Sequence, residues 1–180
     1  MQQSIPMPQG QYDTGDWSEV LGWRGEAPDV DVVGAETVRN SAGVRRVILV
    51  QNASGGTLVG GQALKFTADN FGKKVQKSAN GSSIECFAPY TVDGQTDNTI
   101  PNLAYILAVY AGPTKALTDG AAITEGDILE ASGTAGTVKT NVTVPAASKD
   151  TGNAVAMDDA AAQGTGDPVY VSIMANCPML

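Results

Sequence analysis

Val44 to Gln51 reads VRRVILVQ, and Asn52 to Gly56 reads NASGG. The first run is rich in β-branched and aliphatic side chains, which suit a pleated, packed strand. The second is turn chemistry, because Asn, Ser and Gly either bond their own backbone or tolerate positive φ. Strand followed by tight turn is therefore the local rule, and it repeats outward from here. Thr57–Val59 and Ala63–Ala68 follow across the Gly60-Gly61 break. Lys73–Lys77 reads as an exposed edge, where lysines discourage stray pairing. Ile84–Tyr90, Leu103–Tyr110, Asp127–Ser132, Thr137–Val144, Ala154–Met157 and Val169–Ala175 read as further strands. Asn80-Gly81, Asp93-Gly94 and Asp119-Gly120 supply turns between them. Only Ala160–Gln163, after Asp158-Asp159, reads as a brief helix. Many short strands at regular turn spacing predict an all-β fold, a small β-barrel or β-sandwich of short antiparallel strands.

The lead segment reads differently. Residues 1–34 hold Pro6, Pro8, Pro28 and five glycines, with Trp17, Leu21 and Trp23 as isolated apolar anchors. No helical or strand period survives that punctuation. Residues 1–36 are therefore expected to be an extended N-terminal arm, and residues 37–180 a β-rich domain. Both tryptophans of the chain lie in the arm, so it is expected to dock, either on a partner or over its own core.

Composition narrows the chemistry. The 180 residues include 21 Gly and 9 Pro, are 42% hydrophobic and only 6% aromatic, and contain no histidine. Without imidazole there is no Ser-His-Asp triad, no Cys-His pair and no His-ligated zinc. Cys86 and Cys177 stand far apart with no CxxC spacing, which reads as two small buried side chains, with a disulfide as the alternative. Met1–Gly15 has neither a basic stretch nor an apolar run, so no secretory signal is expected. No run approaches about 18 apolar residues, so no spanning helix is expected, and the protein reads as soluble and made in the cytoplasm.

A net charge of -8 argues against nucleic-acid binding, which needs clustered Lys and Arg. The distribution is uneven. Residues 1–36 carry seven acids against Arg24 alone, residues 37–90 carry seven bases against Asp69 and Glu85, and the rest carries ten acids against three bases. Such segments can attract one another head to tail between copies, or sit on a charged partner.

Candidate chemistry is sparse. Asp158 with Asp159, Asp127 with Glu130, and Asp93 with Asp97 are the carboxylate pairs. Adjacent aspartates on an extended chain project to opposite sides and share no substrate; at the start of a short helix they would simply face its dipole. Asp93–Asn98 (DGQTDN) offers oxygen ligands but lacks the EF-hand spacing, so a polar turn is the better reading. Gly55-Gly56 and Gly60-Gly61 sit between strands, outside any phosphate-loop context. No catalytic, cofactor-binding or metal site is expected, and the protein reads as no enzyme.

The turn grammar recurs: N-x-S-G-G-T-L-x-x-G-Q-A-L-x-F over Asn52–Phe66, T-E-G-D-I-L-E-A-S-G from Thr124, and G-N-A-V-A-M-D-D-A-A-A-Q-G running to V-Y-V-S-I at Ile173. In this order the chain resembles the small capsid cement, or head decoration, proteins of tailed bacteriophages. The resemblance spans residues 44–68 and 120–175. It implies a β-rich domain without catalysis, bound to the outside of an assembled head, commonly as a trimer. The expected partners are the major capsid protein and further copies of the chain, with no membrane and no cofactor; the expected location is the capsid exterior of the virion. The residues expected at the capsid or subunit interface are Trp17, Leu21, Trp23, Arg39, Arg45, Arg46, Lys73 and Lys74. Rival readings are a carbohydrate-binding or adhesin-type β domain, for which Tyr90, Tyr105 and Tyr110 are the candidate platforms, a trimeric β enzyme acting on nucleotides, and a tail or fibre component of the virion.

Overall fold

The computed structural model describes residues 12–33, 36–90, 99–141, 154–160 and 164–173, with the backbone alone for 28–33 and 36–43. The fold is all-β. Its strands are β1 (Arg24–Val33), β2 (Glu36–Asn52), β3 (Leu58–Val59), β4 (Ala63–Phe66), β5 (Lys74–Lys77), β6 (Cys86–Phe87), β7 (Thr99–Ile100), β8 (Tyr105–Leu117), β9 (Ile128–Ala131), β10 (Val138–Thr140), β11 (Ala154–Ala156) and β12 (Pro168–Ile173), with one-turn 3-10 helices at Ser18–Val20 and Ala68–Asn70. Among the described residues no helix is long and apolar enough to cross a membrane.

Ten strands run in the order β1-β2-β5-β4-β6-β8-β12-β11-β9-β10, and β2 also pairs with β8. That extra pairing closes β2, β5, β4, β6 and β8 into a small barrel. Its interior is filled by Ile48 and Val50 of β2, Leu64 and Phe66 of β4, Val75 of β5, Cys86 of β6 and Ile106 and Ala108 of β8. Alternation does the sorting, because successive side chains on a strand face opposite ways. Val47 and Val109, one residue out of phase, point away from the barrel into a second core with Phe87, Leu129, Val138, Val171 and Ile173. β2 and β8 are thus buried on both faces, which is why VRRVILVQ is apolar nearly throughout.

β8 belongs to both halves. Tyr105–Ala111 pair with β2, while Gly112–Leu117 pair with β12. The change of direction has two visible causes. Tyr110 is an extra residue, since Val47 faces Val109 and Arg46 faces Ala111, and such a bulge bends and twists its strand. Gly112 then takes φ +88, and a Cβ there would lie 2.7 Å from the Val44 carbonyl oxygen. Beyond the bend, β12, β11, β9 and β10 curl until Thr118 meets Val138 in a parallel bridge.

Several elements differ from expectation. Lys73–Lys77 is not an edge: β5 lies between β2, its parallel neighbour, and β4. Val75 fills the barrel while Lys74, Gln76 and Lys77 are half-buried, so a strand that alternates poorly still fits inside the ring. β8 runs past Tyr110 to Leu117, because Gly112-Pro113 bends the strand without ending it. Of Ile84–Tyr90 only Cys86–Phe87 pair as strand. Ala160 forms an antiparallel bridge with Ile123, while residues 161–163 lie outside the described residues, as do Asp93-Gly94, residues 142–144 and 174–175, and Cys177.

The lead segment is extended, yet from Asp13 onward it is tied to the domain. Asp13 exchanges two backbone hydrogen bonds with Tyr105, at 2.9 and 2.8 Å. The Gly22 N–H donates to the Leu49 carbonyl at 2.8 Å, and the Leu49 N–H donates to the Trp23 carbonyl at 2.8 Å. β1 then pairs antiparallel with β2, from Arg24 opposite Ile48 to Val33 opposite Glu36. A boundary between residues 36 and 37 falls inside this strand pair.

Candidate interaction surface

The residues expected to make contacts separate into three groups. Trp17, Leu21 and Trp23 are half-buried against the chain's own body. Trp23 packs on the second core, and its ring covers Gly25 so closely that a Cβ there would stand 2.2 Å from Cη2. Trp17 precedes the first 3-10 turn and accepts the Val20 N–H at 3.1 Å. Asp16 fixes the start of that turn by accepting the Ser18 N–H at 3.0 Å, and hydrogen bonds from Ser18 lower its pKa. The Trp23 indole therefore packs on the chain's own core, the second of the two roles expected for the tryptophans, while Trp17 is half-buried beside Gly15.

The arginines divide. Arg45 is only 8% exposed, so its side chain belongs to the interior and not to an outer surface. Arg46 is exposed and meets Glu26 across the β1–β2 ladder, Nε to Oε1 3.9 Å, with the two side chains 58% and 68% exposed. An ion pair that open to water contributes a few tenths of a kcal/mol at most. Its meaning is topological: acidic lead and basic middle meet within one chain, on neighbouring strands. Arg39 stands opposite Val30 in the same ladder, and its side chain lies outside the described residues.

Lys73 is exposed and Lys74 half-buried, at the start of β5. The Lys73 carbonyl accepts the Gln51 N–H at 2.9 Å, which pins this corner to the end of β2. The lead segment reaches the same corner, since a Cβ on Gly22 would lie 3.4 Å from the Gly72 carbonyl oxygen and 3.8 Å from Lys73 Cγ. Leu21, Trp23 and Lys73 thus share one end of the barrel, while Arg46 lies farther along β2.

Of the exposed large apolar side chains among the described residues, Phe71 at 43%, Leu103 at 59%, and Tyr12 and Val20 at 36% each lie on segments tied to that end, while Val44, Ile128 and Met157 lie elsewhere. Leu103 takes φ 65, an uncommon conformation for a branched residue. It is held there because its N–H donates to the Asn52 carbonyl at 2.9 Å and its carbonyl accepts from Gln51 Nε2 at 3.1 Å. Nothing in P-N-L-A signals this, because the strain arises from contacts 52 residues away in sequence.

The carboxylates weighed for acid–base work serve the backbone. Asp127 Oδ2 accepts the Thr124 N–H at 2.9 Å and the Thr140 hydroxyl at 2.8 Å. Asp159 Oδ1 accepts the Glu125 N–H at 2.8 Å, and Asp158 Oδ1 accepts the Asp159 N–H at 2.8 Å. Together they fix the T-E-G-D turn. No group of three metal-ligating side chains occurs among the described residues, and Asp93–Asn98 lies outside them. Glu85 shifts upward: burial raises its pKa, opposed by hydrogen bonds from the Phe66 N–H and the Ser83 hydroxyl and by the Lys65 charge.

The tyrosines do not form a flat platform. Tyr105 is buried, Tyr110 lies under the Arg24 guanidinium at 5.4 Å, and Tyr90 faces the Lys115 ammonium at 5.2 Å. No protein-family model matches the chain, and no curated protein matches its sequence.

Proposed function

We propose that the protein is a virion structural component of a tailed phage, which binds the outer surface of the capsid and its own copies and so strengthens the shell. The observation that carries this reading is what the motif residues do. Asn52–Gly56, Asp127 and Asp158-Asp159, on which the resemblance to cement proteins rests, all act as turn formers that join short strands into a stiff double-cored body. Such a body works by contact. Each copy that bridges shell subunits adds interface that must break before the shell opens, and binding to the assembled state alone stabilises it by mass action.

The expected assembly is a homotrimer on the capsid exterior. The exposed apolar group Phe71, Leu103, Val20 and Tyr12 and the flanking Lys73 supply a contact surface of mixed character, as partner interfaces have. The test is co-sedimentation with assembled shells. Asp127→Asn, Asp158→Asn and Asp159→Asn should each retain attachment within about tenfold, or ~1.4 kcal/mol, because energy at a broad interface is shared among contacts. Phe71→Ala with Leu103→Ala should cost more. An Asp→Asn change that removes a measurable activity while fold and attachment persist would overturn the reading in favour of an enzyme.

A further inference from the structure

β2 is a 17-residue strand whose two ends have different fates. Its second half is held on both sides, by β8 along Arg46–Gln51 and by β1 and then β5 on the opposite side. Its first half pairs with β1 alone among the described residues. Between the pairs Pro28–Val44 and Val30–Arg39 the register slips, so that Asp29 stands opposite the four residues Asn40–Gly43. Proline removes a ladder donor, and Ser41-Ala42-Gly43 adds slack, so this slip separates the body from what lies beyond it. Beyond it, Val30–Val33 and Glu36–Arg39 form a two-stranded ribbon with no third strand among the described residues.

A two-stranded ribbon is marginal in water by itself. This one carries the four valines Val30, Val32, Val33 and Val38, which gain free energy when laid on another surface. It is also acidic: Asp31 and Glu36, with Asp29 at its base, outnumber Arg39. Complementary chemistry lies at the other end of the same strand. Lys73 and Lys74 flank Gln51, Lys65 of β4 stands opposite Gln76 of β5, and Phe71 is exposed beside them, edge-on to Phe66 at 4.8 Å. The acids nearest this face in the described chain are Asp69, in the 3-10 turn before Phe71, and Glu85, whose carboxylate is engaged by the Phe66 N–H and the Ser83 hydroxyl.

Measured along the paired residues, six from Val30 to Arg24 on β1 and three from Ile48 to Gln51 on β2, the ribbon and the lysine corner stand roughly 30 Å apart. The ribbon therefore cannot reach the lysine face of its own chain. We infer that the ribbon is a docking arm, and that it seats on the β4–β5 lysine face of a second copy. The contact is head to tail, and repeated around a closing rotation it makes a ring. This rests on the self-association in the reading above and names the surface responsible.

The experiment is a charge swap on the full chain, read by light scattering over a concentration series at low and high salt. Asp29→Lys with Asp31→Lys, and separately Lys73→Glu with Lys74→Glu, should each weaken self-association at least tenfold while the thermal unfolding transition persists. All four changes in one chain should restore it, and rising salt should weaken the parent and the swapped chain alike. Undiminished association of either pair variant, or no recovery in the combined chain, overturns the docking arm. A parent chain that stays monomeric yet co-sediments with shells also overturns it and leaves the capsid reading standing. Association that follows the swap in a chain that never binds shells upholds the arm and removes the capsid reading.

Discussion

Asn52 is fully buried, and its side chain ties three segments together. Nδ2 donates to the Gly56 carbonyl at 3.0 Å and the Pro101 carbonyl at 2.9 Å, while Oδ1 accepts the Ser54 N–H at 3.0 Å. The turn was legible in NASGG, because Asn before Ser-Gly is local chemistry. The link to Pro101 was not, since no pattern couples positions 49 apart. Asn52→Ala should destabilise the fold by about 2–4 kcal/mol in urea unfolding, because it leaves buried backbone groups without partners. Glu85 makes the matching case for charge. Its folded pKa is raised by burial, so the folded state binds its proton more tightly than the unfolded one, and that contribution is full below the ordinary value of 4.5 and lost as pH rises through the raised one. Gln can still accept the Phe66 N–H. Glu85→Gln should therefore be more stable than the parent at neutral pH, with the difference closing toward acid pH in melts across that range; a difference that widens toward acid pH would contradict the shift.

At the level of elements, strands with strong β-branched runs were readable and their neighbours were not. VRRVILVQ announces β2, but only the closed ring explains why both its faces are apolar. β5 shows the converse, since KKVQK looks like an edge until Val75 is seen filling the barrel between β2 and β4. β1 was hidden because Gly25 and Pro28 break the sequence pattern; the glycine is there to lie under Trp23, and the proline stands where the ladder slips. Since Trp23 covers the second core and β1 covers an edge of β2, deleting residues 1–34 should cost more than Trp23→Ala alone, itself about 1–3 kcal/mol for a half-buried indole. Urea midpoints of the two variants give the comparison, and an unchanged midpoint after deletion would mean that the segment adds nothing to the fold.

At the level of the molecule, charge was readable as an amount, while its placement needed the fold. The acidic lead and basic middle suggested contacts between copies, and Glu26 and Arg46 also meet on adjacent strands of one chain, so part of that complementarity serves the fold. What remains for partners is the ribbon beyond the slip, the lysines of β5, and the apolar group around Leu103 at the far end of the barrel. The most direct measurement is the temperature at which assembled shells lose integrity, with and without the protein at saturation. Capsid strengthening predicts a rise that saturates with occupancy and shrinks when Phe71→Ala and Leu103→Ala are combined. Saturating attachment with no change in shell stability, or no attachment at all, would contradict it.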